Sequence, residues 1–235
     1  MILALETSGA VGSVALLDGD AVLGERTFDT RQEAVCRLPG AVAELLAPHG
    51  GRPALSGLAV SRGPGSFNGL RVGVAMAKAM AHAWERPVVG LPTPEVWAAE
   101  SAARFPGWAV AVLQPCRRDH VYLTMVVPAE GDEGGEARRG SEIVAVDELQ
   151  GALSASDTSG PLVLTGDWPE LAAWAATREG LALDAERSAS PSAVTVARLA
   201  RWQLGKAARD SYYTLRPDYV SPSQAERNRG VNLGL

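Results

Sequence analysis

Cysteine is scarce in this 235-residue chain: Cys36 and Cys116 stand far apart with no CxxC spacing, which excludes a disulfide framework and a thiolate zinc site. Histidine is equally sparse. His49, His82 and His120 are isolated, with no HxxxH or HExxH pair, so no metal centre built on paired imidazoles is expected. A serine-nucleophile elbow is absent, because Pro64 and Asn68 stand around Ser66 where the two glycines of GxSxG belong. No run of about five or six like charges occurs and the net charge is −5, so the chain lacks the footprint of a stand-alone nucleic-acid binder, and any such role is shared with a basic partner. No apolar run approaches the ~18 residues of a membrane span, and Met1-Ile2-Leu3 leads into strand-like sequence without a charged leader. The expected compartment is the cytoplasm, with no membrane partner.

The most informative stretch present is Gly63-Pro64-Gly65-Ser66-Phe67-Asn68-Gly69-Leu70-Arg71, between a buried strand read at Leu55 to Ser61 and a helix read from Asn68 to Trp84. Three readings of it stand side by side. A glycine-rich turn before a helix leaves backbone N–H groups free for an anion. Gly63 and Gly65 alternatively serve a tight turn with positive φ, with Ser66 and Asn68 as helix caps. The small residues after the turn otherwise shape a packing surface. Neither phosphate fingerprint fits, since Asn68 and Leu70 fall where GxxxxGK[ST] needs its second glycine and Asn68 replaces the third glycine of GxGxxG.

The length admits one large domain or two small ones, and two lobes are expected. Apolar and turn patterning gives three strands in a meander, a helix over Glu33 to Ala47 that Pro39 is expected to kink or restart, the strand before the glycine loop, its helix, a strand at Pro87 to Leu91 and a helix from Pro94 to Arg104. After a boundary at Arg104 to Gly107 the pattern begins again, with strands at Trp108 to Leu113, Val121 to Val127, Ile143 to Val146 and Leu162 to Thr165, and helices at Leu171 to Ala176 and Ala193 to Leu204. Pro128 to Gly140 reads as a disordered hairpin loop, Asp157 to Gly160 as a plain loop, and 216–235 as an extended, partly disordered tail. The expected division is 1–105, 106–215, with the last helix of the second lobe packing on the first, and the tail. A duplicated α/β plan of this kind is the layout of the ribonuclease-H-like lobes of the actin and sugar-kinase superfamily. In that layout the first hairpin turn, here Glu6, Thr7, Ser8 and Gly9, holds nucleotide phosphates.

Ile2-Leu3-Ala4-Leu5-Glu6-Thr7-Ser8, Ser13-Val14-Ala15-Leu16, Ser61 through Gly73 and Ala77-Lys78 resemble the bacterial TsaB family, also called YeaZ. In the second half the resemblance rests on Arg117, Val121-Tyr122, Thr165-Gly166 and Arg216-Pro217-Asp218-Tyr219-Val220. It implies a non-catalytic subunit, long labelled a glycoprotease, that pairs with TsaD and TsaE to install threonylcarbamoyl on adenosine 37 of ANN-decoding transfer RNA. It further implies a homodimer when alone, RNA contact only through the complex, and no cofactor. The chain departs from the family pattern at Glu6, Glu33, Asn68 and Pro115, which leaves Glu6 to Gly9 as at most a vestigial phosphate site.

The rival enzymatic reading is an ATP-dependent phosphotransferase, which needs a second phosphate loop where the chain offers only Gly166. A plainer rival is a homodimeric scaffold with another partner. In the helix after the glycine loop, Gly69, Gly73, Ala77 and Ala81 recur at every fourth position, with Leu70, Met76 and Met80 beside them. A helix apolar nearly all round needs cover on more than one side. Periodicity alone leaves the cover either to the first helix, through Val35 and Leu38, or to another molecule. The resemblance favours the second and makes these nine residues the expected partner interface. Arg117-Arg118, Arg138-Arg139, Arg227 and Arg229 read as solvated surface, with the tail the segment expected to meet a partner or the RNA backbone.

Overall fold

A computed structural model of the chain describes residues 1–128, 135–137, 140–156, 160–178, 180–187, 190–205 and 211–220, the side chains of 31–35, 128, 135–137 and 205 excepted. The first lobe runs β1 (Ile2–Glu6), β2 (Val11–Asp18), β3 (Ala21–Asp29), α1 (Thr30–Leu46), β4 (Gly57–Gly63), α2 (Phe67–Trp84), β5 (Val88–Pro92) and α3 (Thr93–Ala102). Its sheet has the order β3-β2-β1-β4-β5, with β1 antiparallel to β2, β2 antiparallel to β3, and β4 parallel to both β1 and β5. The second lobe adds β6 (Ala109–Arg117), β7 (His120–Pro128), β8 (Gly135–Ala137), β9 (Glu142–Ala145), α4 (Leu149–Ser154), β10 (Leu162–Thr165), α5 (Leu171–Ala176), β11 (Ala182–Leu183) and α6 (Ala193–Gly205). Its sheet has the order β11-β10-β6-β7-β8, with β9 also on β7. The chain is thus an α/β protein with two mixed sheets, one in each lobe.

β1 is apolar at every position before Glu6 because both faces of its sheet are covered. On one face Leu3, Leu5, Leu58 and Val60 pack with Leu38, Leu45, Val74, Ala77 and Met80 of α1 and α2. On the other, Ile2, Ala4, Ala15 and Ala59 pack with Ala193, Val196, Ala197 and Ala200 of α6, so the last helix lies on the first sheet. α3 is the wall between the lobes. Val96 joins the core beneath the first sheet, while Trp97 and Ala98 pack on Val110, Val112, Val126 and Val163 of the second.

Four local expectations change. Pro39 does not break α1, which runs through it; Pro39 is exposed, where water can meet the carbonyl its ring leaves unpaired. Within the expected loop at Pro128 to Gly140, Gly135–Ala137 pairs with the end of β7. α4 and β11 escaped the sequence reading because each is too short to show a period. Leu215, placed by the sequence at the end of the second lobe, lies 2% exposed in the core beneath α1 and α2, and the start of the expected tail is packed as well, with Asp218 on Arg62 and Tyr219 on Phe67. The rest of the 128–140 loop, positions 157–159, Arg138, Arg139 and the tail after Val220 with Arg227 and Arg229 lie outside the described residues.

The burial of Leu215 makes the segment 211–220 part of the first lobe. Leu215→Ala is expected to lower stability by about 2–5 kcal/mol in denaturant unfolding; an unchanged midpoint would place the segment outside the fold.

Candidate functional site

Two turns meet at the carboxyl end of the first sheet, the hairpin Glu6 to Gly9 and the glycine loop Gly63 to Ser66. Gly63 has φ 115° and its peptide to Pro64 is cis. A side chain at Gly63 would be strained by that φ and would meet the Asp218 carbonyl oxygen at 3.0 Å. The Ser66 N–H donates to the Ser8 carbonyl at 2.7 Å, which ties the loop to the hairpin. Ser66 is also the N-cap of α2, its hydroxyl accepting from Gly69 N–H at 3.3 Å. Asn68, expected as a cap, is instead an exposed residue inside the first turn.

The hairpin presses directly on α2. A Cβ at Gly69 would stand 2.0 Å from the Thr7 carbonyl oxygen, one at Gly73 2.1 Å from Thr7 Oγ1, and one at Gly65 2.6 Å from the Ser8 carbonyl oxygen. Ala77 and Ala81 are buried in the same lobe, as are Leu38, Leu70 and Met80. The small-residue stripe is therefore internal packing, which corrects its reading as a docking surface. The glycines are small because Thr7 and Ser8 occupy the space beside them. Of the nine expected interface residues, Met76 is half-buried near the surface, and the side chain of Val35 lies outside the described residues.

Glu6 is wholly buried, and its carboxylate accepts from Ser8 N–H at 2.6 Å, from Ser8 Oγ at 2.5 Å and from the Ser61 hydroxyl. Burial pushes its pKa from 4.5 up to about 7, against the lowering effect of those hydrogen bonds, with Glu100 raising it further. Beyond the turn, Val11 N–H donates to Ser190 Oγ at 3.0 Å, and a Cβ at Gly9 would lie 2.3 Å from that same oxygen. The second lobe reaches in as well, Gln114 Nε2 donating to the Pro64 carbonyl at 3.2 Å. The N–H groups of Ser8 and Val11 and the space beside Gly9 are thus taken up by the chain itself.

Away from this junction, Asp184 accepts from Ser101 at 2.8 Å and from Arg104 of the α3 end. Burial pushes Asp184 up, but the hydrogen bonds and charge of these partners outweigh it and hold its carboxyl below the ordinary range. The arrangement stitches α3 to the second sheet. Arg117 and Arg118 are exposed at the β6–β7 turn.

The sequence reading missed the cover on the outer flank of α2. The strap 211–220 runs back along the helix: Tyr212 packs on His82 with centroids 4.9 Å apart, Asp218 N–H donates to the Arg62 carbonyl, Asp218 pairs with Arg62 at 2.8 Å, and Tyr219 packs on Phe67 at 5.1 Å while its hydroxyl accepts from Arg71 Nε at 3.1 Å. The only signal for it was the Arg216 to Val220 segment of the family resemblance. What remains open on α2 is a different stripe. Val72 and Met76 are half-buried and Ala75, Ala79 and Ala83 exposed, and at ~100° per residue they lie together between α1 and the strap.

A family model described as TsaD, tRNA N6-adenosine threonylcarbamoyltransferase, matches residues 29–159. The tRNA threonylcarbamoyladenosine biosynthesis protein TsaB of Bacillus subtilis is 35% identical over 123 residues, 52% of each chain, and that of Haemophilus influenzae is 32% identical over 130 residues, 54% of this chain and 53% of the relative. The chain spans about half the length of the curated relatives it matches. In structure it is similar to YeaZ from Pseudomonas aeruginosa, with a TM-score of 0.77 and 24% identity over 93% of this chain and 98% of that one. A second solved structure, described as an uncharacterized protein with similarity to peptidase YEAZ from Pseudomonas aeruginosa, gives 0.79 and 23% over 94% and 99%.

Two outcomes follow from the junction. Because the folded pKa of Glu6 lies above its ordinary value, the folded chain holds this proton more tightly than the unfolded one, and the stability so gained is complete below about pH 4.5 and lost as pH rises to about 7. The loss is of order 3 kcal/mol, so Glu6→Gln is expected to flatten the pH dependence of denaturant unfolding between pH 5 and 8; an equal slope in both proteins would overturn the assignment. Gly73→Ala is expected to lower the unfolding midpoint, since its methyl collides with Thr7, by about 1–3 kcal/mol.

Proposed function

The chain belongs to the TsaD family of tRNA N6-adenosine threonylcarbamoyltransferases and, within it, to the TsaB (YeaZ) proteins, and from that membership we propose that it is a non-catalytic subunit of tRNA threonylcarbamoyladenosine biosynthesis. In this reading it pairs with TsaD, and with TsaE, for modification of adenosine 37 in ANN-decoding transfer RNA, and pairs with itself when alone. The observation that carries it is the open stripe of α2, Val72, Ala75, Met76, Ala79 and Ala83. Small apolar residues on an exposed helix face let a second helix approach closely, and α1 and the strap border the stripe on either side. The closed junction around Glu6 supports the non-catalytic part, because a carboxylate held by two serines and buried has no face left for a substrate.

Ala79→Trp is expected to abolish co-purification with TsaD and to cut modification of transfer RNA by the assembled system at least tenfold, while leaving the circular dichroism spectrum of the isolated chain unchanged. Loss of the fold would mean that the stripe is internal, and retained association would sink the docking face. The wild-type chain by itself is expected to transfer no threonylcarbamoyl group to RNA.

A further inference from the structure

The strap edge of α2 carries a charge pattern that neither the buried packing nor the docking stripe uses. The whole chain has 27 acidic against 22 basic residues, yet the 18 residues of α2 include no carboxylate, while Arg71, Lys78 and His82 fall on a single stripe at ~100° per residue. The strap lies along that stripe and adds the exposed Arg216. Its carboxylate, Asp218, is held by Arg62, and among the described residues no carboxylate pairs with Arg71, Lys78 or Arg216.

Aromatic rings stand at both ends of this stripe. Three of the four tyrosines of the chain lie in the strap. Tyr213 is 75% exposed and rests on Tyr212 at a centroid distance of 4.2 Å, and Tyr212 rests on His82. At the other end Arg71 lies 4.1 Å over the Phe67 ring beside Tyr219. The result is a cationic edge with an exposed ring supported from behind. An acidic protein surface would match the cations but would give Tyr213 no enclosing apolar pocket of the kind that anchors an aromatic residue at a protein interface. A single-stranded nucleic acid satisfies both features, its phosphates meeting the cations and a flat base meeting the open ring.

We propose that this edge, Arg71, Lys78, His82 and Arg216 with Tyr213, is a contact surface for single-stranded RNA. The proposal rests on the subunit reading only for the choice of transfer RNA as probe and of TsaD as the companion in the assay. In the complex assembled with TsaD, the chain carrying photoreactive benzoylphenylalanine in place of Tyr213 is irradiated with unmodified ANN-decoding transfer RNA. A covalent RNA adduct is expected; an adduct to protein alone, or none, overturns the proposal. In a parallel titration, Lys78→Glu with Arg216→Glu is expected to weaken RNA binding at least tenfold and to flatten the logarithmic salt dependence by about 1.4, the share of two single-strand phosphates, with TsaD association retained. Unchanged affinity and slope would refute it. If the chain fails to assemble with TsaD the subunit reading falls, and the same crosslink and titration on the chain alone decide this one.

Discussion

Everything at the centre of the first lobe depends on how closely the β1–β2 hairpin approaches α2. Thr7 and Ser8 fill the volume that side chains at residues 65, 69 and 73 would occupy, and Ser66 N–H closes the contact on the Ser8 carbonyl. That approach fixes the start of α2 and holds Ser61 and Ser8 on the Glu6 carboxylate. It also decides which face of α2 is turned inward. The remaining surface of the helix, including the open apolar stripe and the cationic edge, follows from that rotation.

The same contact accounts for the closed character of the cleft. A hairpin turn at the end of a first strand and a glycine loop before a helix are both anion sites when their N–H groups point to open space. Here each is the other's partner, Ser190 and Gln114 arrive from the second lobe, and the N–H groups of Ser8, Val11 and Ser66 are taken within the chain. A buried carboxylate that water cannot reach then acts as a structural tie whose strength depends on its protonation.

Much of the fold was legible. The order of three strands, helix, strand, helix, strand and helix appeared in the sequence because β1, β2 and β4 are buried on both faces and because Ser66 caps a long helix. The site was less legible. A spacing of four residues identified Gly69, Gly73, Ala77 and Ala81 as one face of a helix, but small residues are selected equally by a neighbouring hairpin and by a neighbouring molecule, and the sequence does not say which lies nearer. Nor did Tyr212, Leu215 and Tyr219 announce themselves as a strap, since their partners His82 and Phe67 stand well over a hundred positions earlier.

By itself the sequence determined the two-lobed α/β plan, the family, and the turn at Gly63, all of which are written in local periodicity and in short contiguous segments. Only the tertiary structure decided that Gly69 and Gly73 face inward onto Thr7, that the neighbouring stripe at Ala75 and Ala79 faces outward, and that residues 211–220 cover the flank between. The physical reason is that a helix shows its period in sequence but its rotation about its own axis is set by long-range contacts, here a hairpin sixty residues before it and a strap well over a hundred residues after it.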